Sequence, residues 1–213
     1  MFVSICGLIG SGKSTLVDNL ERLSHYTVYR EPVESNPFLE LYYQDPYRWS
    51  YTMQVNLLFT RYKQSQEAYL KSSNGDITVM DSSIYSDLAF ALVQKRSHYF
   101  TYDEFNSYLN MHKVISAQTA YPDKIFWLEF NPSDTIERIK KRSRSCESSI
   151  PISYLEDLYE SYHEVFDKLK RHTDIISIDA SKDAYSVYST VNNIITESKN
   201  DNNVYCLKYN WGV

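Results

Sequence analysis

At 213 residues, 43% apolar and 23% charged, the chain is long enough for one substantial hydrophobic core and short for two. Its 22 Lys and Arg against 27 Asp and Glu leave a net charge of −5, which supplies no basic field to hold a nucleic acid polymer by its backbone. No apolar run approaches the ~20 residues that span a bilayer, and Cys6, Cys146 and Cys206 have neither metal-ligand nor disulfide-framework spacing, so the expectation is a cytoplasmic chain with no membrane segment and no zinc site.

The first strand is expected at Phe2 to Cys6, and a helix from near Lys13 carries Leu16, Val17, Leu20 and Leu23 at spacings of three and four. Further strand-sized apolar runs follow at Tyr26 to Tyr29, Ile77 to Met80, Ile125 to Leu128 and Ile175 to Ile178. Between the second and third, Trp49 to Leu70 reads as one long helix with polar residues on its inner-looking face, closed by Asn74-Gly75-Asp76. Pro132 suits a helix start, with helix over Asp134 to Lys141 and a basic end. Strands alternating with helices predict an α/β fold, a doubly wound, five-stranded parallel sheet covered on both faces. Residues 1–197 are expected as one domain and 198–213 as a polar tail, in which Val204-Tyr205-Cys206-Leu207 suits an edge strand or a docking segment.

Three of only five glycines fall within six positions. Gly7-Leu8-Ile9-Gly10-Ser11-Gly12-Lys13-Ser14 fills the pattern G-x-x-x-x-G-K-[ST] completely, between a predicted strand and a predicted helix. Such a loop turns successive backbone N–H groups inward on phosphate oxygens, and the helix N-terminus adds partial positive charge. Lys13 is expected on the β- and γ-phosphates, Ser11 and Thr15 in the phosphate cradle, and Ser14 on Mg²⁺. A nucleoside triphosphate is the implied ligand. The second strand runs into Arg30-Glu31, and in a parallel sheet the C-terminal strand ends line the ligand crevice, so Glu31 is placed to accept a proton from an attacking hydroxyl.

Taken in order, the P-loop, Glu31-Pro32-Val33-Glu34, Tyr43-Gln44-Asp45-Pro46-Tyr47-Arg48-Trp49, Gln54, Asp81-Ser82-Ser83-Ile84-Tyr85-Ser86-Asp87 and the segment from Arg142 to Pro151 resemble the deoxyribonucleoside kinases over roughly residues 1 to 180. The resemblance implies a P-loop kinase fold with an Arg-rich lid, and transfer of the γ-phosphoryl of ATP, with Mg²⁺, to the 5′-hydroxyl of a deoxyribonucleoside. It further implies a homodimer. By the same resemblance Glu31 is the general base, Tyr43 and Glu147 hold the sugar 3′-hydroxyl, Gln54 reads the base edge, Arg142 and Arg144 are lid arginines, and Asp81 holds Mg²⁺ or its water. Arg61, two helical turns beyond Gln54, and Asp87 match a pair found in members preferring purines or deoxycytidine over thymidine.

Residue chemistry supports these assignments independently. Gln54 offers a donor and an acceptor, although a polar residue on the wet side of a long helix is the ordinary reading. Phe38, Trp49, Tyr51, Tyr85 and Phe90 are candidates to wall a nucleobase slot. The family carries arginine after the acidic residue at the third strand end, and this chain carries Ser82, with Arg30, Arg48 or a lid arginine as candidate substitutes. Two alternatives therefore stand: a thymidylate-type nucleoside monophosphate kinase, and a nucleotide-binding relative with weakened catalysis.

Overall fold

The computed structural model describes residues 1–31, 36–142 and 150–209, without the side chains of residues 142 and 201–209. Five strands, β1 (Phe2–Gly7), β2 (Thr27–Tyr29), β3 (Thr78–Asp81), β4 (Lys124–Glu129) and β5 (Asp174–Asp179), form one parallel sheet in the order β2-β3-β1-β4-β5. All five lie within a residue or two of the runs read from the sequence. The register sets Ile5 beside Asp81, Gly7 beside Leu128 and Glu129 beside Asp179, so the C-terminal ends of the strands finish together along one edge. Every residue of β1 is buried, as expected of a central strand covered on both faces.

Alternation along β4 shows how the two faces are covered. Ile125 and Trp127 pack into a cluster with Leu58, Ile84, Tyr108, Leu158 and Tyr162, which come from α3 (Pro46–Ser73), α4 (Ile84–Arg96), α5 (Tyr102–Ala117) and α7 (Ile152–Leu169). Phe126 and Leu128 point the other way, into a cluster with Leu16, Val17 and Leu20 of α1 (Lys13–Ser24) and Val187, Val191 and Ile195 of α8 (Ala184–Tyr209). Two shorter helices, α2 (Leu39–Gln44) and α6 (Pro132–Arg142), stand near the C-terminal strand ends.

The long helix starts three residues earlier than its periodicity predicts, because Pro46 takes the first helical position and the Asp45 side chain accepts the Arg48 N–H as N-cap. The edge strand expected at Val204–Leu207 does not form. Those residues continue α8 to Tyr209, since the polar run before them contains neither Gly nor Pro to stop a helix. No helix among the described residues is long and apolar enough to cross a membrane.

Candidate active site

At the C-terminal edge of the sheet, β1 leaves into the P-loop. Gly10 and Gly12 adopt φ of +84° and +98°, where a side chain is strained, and a Cβ at Gly10 would sit 3.0 Å from Ile139 Cγ1 and 3.1 Å from the Thr135 carbonyl. The loop closes on itself through Ser11 N–H to the Leu8 carbonyl at 3.1 Å, and Lys13 Nζ donates to the Gly7 and Leu8 carbonyls at 2.9 and 2.8 Å. Ser14 and Thr15, at the exposed start of α1, face the same cavity.

That cavity measures about 1220 Å³, above the 300–1,000 Å³ of a pocket for one small molecule. One end holds Gly10 to Thr15, Arg138 and Lys141 with the loop Ala180 to Asp183 after β5; the other holds Tyr43, Met53, Gln54, Arg61, Phe90 and Tyr154. Glu31, two residues after β2, and Asp81, the last residue of β3, line the same cavity at the strand ends. Ser14 and Asp81 offer hard oxygen donors there and fit Mg²⁺, which keeps several waters and binds through one or two protein oxygens plus phosphates.

Gln54 is fully buried, contrary to its ordinary reading as a wet-side residue. Its Nε2 donates to the Asp87 carbonyl at 3.0 Å, and its buried Oε1 has no hydrogen-bond partner among the described residues. Arg61 and Asp87 do meet, and the pair is buried, at 2% and 0% side-chain exposure, whereas charged pairs of this kind are most often found on surfaces. The same guanidinium also forks to Glu31, which the sequence reading did not anticipate. Burial works to lower the Arg61 pKa, but the Glu31 and Asp87 carboxylates outweigh it and hold the pKa above its ordinary value, so the cation persists. Tyr108 donates its hydroxyl to the second Asp87 oxygen at 2.6 Å; burial first, and then Asp87, raise the tyrosine pKa and keep that proton in place.

Of the five aromatics expected around a nucleobase, Phe90 alone lines the cavity. Phe38 and Trp49 stack on each other at 6.0 Å between ring centroids, Tyr51 bonds Ser107, and Tyr85 stacks on Tyr121. Tyr42, Tyr43 and Tyr154 provide the aromatic wall instead. Periodicity marks a helix face as apolar without saying which neighbour it meets.

Asp81 sits at the end of β3, and Ser82 follows at φ +80°, its N–H bonded to the Ile5 carbonyl at 2.9 Å and its own carbonyl accepting from Ser4 Oγ at 3.0 Å. Of the candidate substitutes, Arg30 borders the cavity and is tied to Asp18 at 2.8 Å and Glu21 at 2.5 Å, and exposed Arg48 lies over the Trp49 ring. Arg144, Glu147, Glu34 and the side chain of Arg142 lie outside the described residues. One basic residue went unread in the sequence: Arg138, a helical turn before Arg142, stacks its guanidinium 3.8 Å from the centroid of Phe130, donates to the Ala180 carbonyl at 3.2 Å and borders Gly12. The spacing of four residues between Arg138 and Arg142 was the available signal.

A profile of the deoxynucleoside kinase family matches residues 3–202. The chain belongs to that family. Deoxyadenosine kinase of Dictyostelium discoideum is 33% identical over 180 residues, covering 84% of this chain and 72% of that protein, and deoxyadenosine/deoxycytidine kinase of Bacillus subtilis is 29% identical, covering 75% and 74%. Among solved structures, deoxyadenosine kinase from M. mycoides with dCMP and dCDP bound superposes with a TM-score of 0.82 at 27% identity, covering 92% of this chain and all of that one; a dATP-bound form gives 0.81. This deoxynucleoside kinase is thus an ATP-dependent enzyme of P-loop kinase fold, and the thymidylate-type alternative gives way to that assignment.

Proposed function

We propose that the kinase phosphorylates the 5′-hydroxyl of purine deoxynucleosides or deoxycytidine in preference to thymidine, with Glu31 as general base. The observation that carries this is one cavity lined by the P-loop, Glu31, Gln54 and Arg61, with Arg61 bonded both to Glu31 and to buried Asp87. An amide with an unsatisfied carbonyl and a charged pair favour a base that hydrogen-bonds over one that presents a methyl group. Relatives named for deoxyadenosine, deoxyguanosine and deoxycytidine support the same preference.

In the mechanism, the P-loop amides and Lys13 hold the β- and γ-phosphates. Ser14 and Asp81 would hold Mg²⁺, which would supply neutralising charge at the phosphates. Glu31 takes the proton of the 5′-hydroxyl as its oxygen bonds to the γ-phosphorus, and the bond from that phosphorus to the bridging oxygen breaks to release ADP. Arg138, with Arg142 and Arg144 beyond it, supplies cations around the transferring group, while Tyr43 and Glu147 hold the sugar and Phe90 flanks the base. The reaction draws on cytoplasmic ATP.

A homodimer is part of this reading: Phe59 on α3 and Val114 on α5, 52% and 60% exposed, suit a second copy of the chain. Sedimentation analysis of wild type and of F59E/V114E tests it, the double variant running as a monomer. The substrate test is a coupled assay with Mg·ATP, the four deoxynucleosides and dTMP. Monophosphates of deoxyadenosine, deoxyguanosine or deoxycytidine are expected at higher kcat/KM than that of thymidine. Preference for thymidine would refute the substrate reading, and turnover of dTMP alone would refute the acceptor.

A further inference from the structure

Arg61 makes two contacts that belong to different halves of the reaction. One arm of its guanidinium holds Asp87, beside the groups placed to read the base; the other holds Oε1 of Glu31. The next helical turn of α3 adds a second hold, since Gln64 Nε2 donates at 2.8 Å to the carbonyl of Arg30, the residue just before Glu31. The end of β2 is therefore clamped by α3 at two adjacent points. At position 82, where the family carries a cation, this chain has a serine whose backbone is bound to β1. Of the other cations that line the cavity, Arg30 is tied to Asp18 and Glu21, Arg138 lies on Phe130 and Ala180, and Lys13 donates to P-loop carbonyls.

We propose that Arg61 is a positioning residue for Glu31 as well as a determinant of the base, so that one guanidinium joins substrate choice to the chemical step. The proposal rests on the reading of Glu31 as general base and takes it further. A planar fork has fixed geometry, and an arm cannot swing toward the base without the other arm moving. A nucleobase that leaves the Arg61–Asp87 contact intact leaves Glu31 aimed at the 5′-hydroxyl with its second oxygen available. A base whose substituent pushes into that contact displaces the guanidinium and turns Glu31 with it, and a displacement of about 1 Å in a reacting group costs on the order of 10² in rate. Discrimination against the wrong nucleoside then shows in kcat at saturation, in addition to KM.

The test is a double-mutant cycle on the full-length enzyme with saturating Mg·ATP and deoxyadenosine, comparing wild type, E31Q, R61Q and E31Q/R61Q. If Arg61 acts on the chemistry through Glu31, R61Q lowers kcat by about 10²-fold when Glu31 is present and by less than about 3-fold in the E31Q background, while KM rises in both backgrounds. Restoring charge without the fork, R61K recovers less than a tenth of the lost kcat. Equal losses of kcat in the two backgrounds, or no loss in either, overturn the proposal and leave Arg61 as a base-reading residue only. Removing a buried cation endangers folding, so melting is followed for each protein; if R61Q does not fold, the same cycle is run on a D87N background, where both members of the buried pair are neutral, with the same criteria. A wild-type enzyme that phosphorylates no deoxynucleoside would instead overturn the function proposed above, a result distinct from an active enzyme whose cycle is additive.

Discussion

Replacing Gln54 by leucine separates stability from recognition. Among the described residues the amide makes one hydrogen bond, from Nε2 to the Asp87 carbonyl, and leaves a buried Oε1 unsatisfied. Losing the bond costs about 1 kcal/mol, whereas removing a buried polar atom without a partner returns roughly 1–3 kcal/mol. Leucine has nearly the same volume and a favourable helix propensity, so the net change is a gain of about 1 kcal/mol, or a rise in Tm of about 2–4 °C for a chain of this size. Recognition moves the opposite way. A bidentate amide-to-base contact is worth about 1–3 kcal/mol, so Gln54→Leu lowers kcat/KM for deoxyadenosine by roughly 10- to 100-fold, mostly through KM. Differential scanning calorimetry and steady-state kinetics on the same preparation give both numbers. A fall in Tm beyond about 5 °C would show that Oε1 is satisfied in the free enzyme, and an unchanged kcat/KM would show that the amide does not touch the base.

Glu31→Gln keeps shape but cannot take a proton, and kcat is expected to fall by about 10²–10⁴-fold with nucleoside affinity largely kept; an unchanged kcat moves the role elsewhere. Gly10→Ala puts a Cβ at φ +84° against Ile139 and the Thr135 carbonyl, so a loss of about 2 kcal/mol in urea unfolding and weaker ATP binding are expected. His112, whose Nε2 lies 3.0 Å from the Ile84 carbonyl, is held below its ordinary pKa of 6.5 by burial, the contact to Ile84 opposing this. The folded state keeps it neutral while the unfolded chain takes a proton below about 6.5, so stability is lost as pH falls from there toward the folded-state pKa, and His112→Gln flattens the urea midpoint between pH 7.5 and 5.5.

Much of this site is readable in one dimension because its parts are local. Gly7 to Ser14 completes the P-loop pattern within eight residues, and strand ends in a parallel sheet converge whatever the sequence between them, which is why Glu31 and Asp81 can be assigned to the crevice before any coordinates. Gln54 and Arg61 share a face by helical spacing alone. What periodicity does not carry is which element a face meets. Phe38, Trp49 and Tyr51 have the composition of a base pocket yet pack on α2, α3 and α5, and the fork from Arg61 to Glu31 joins residues thirty positions apart across two elements. Arg138 carried only the weak signal of its spacing from Arg142, because its partners are a ring and a main-chain carbonyl, with no opposite charge to mark it.

The backbone of Ser82 bears on how such an enzyme can change. Its left-handed φ is held by Ile5 and Ser4, not by anything its own side chain does. A residue with a Cβ is strained at that φ, β-branched residues most of all, and the main-chain bonds to β1 hold the backbone there for any unbranched side chain. The position behaves as a socket: Ser82 is buried yet borders the cavity, so a longer side chain there would extend into the cavity while the P-loop, Asp81 and the start of α4 stay in register. A change of side chain at this spot is therefore a change in what the cavity presents, made without rearranging the strand end that carries Asp81.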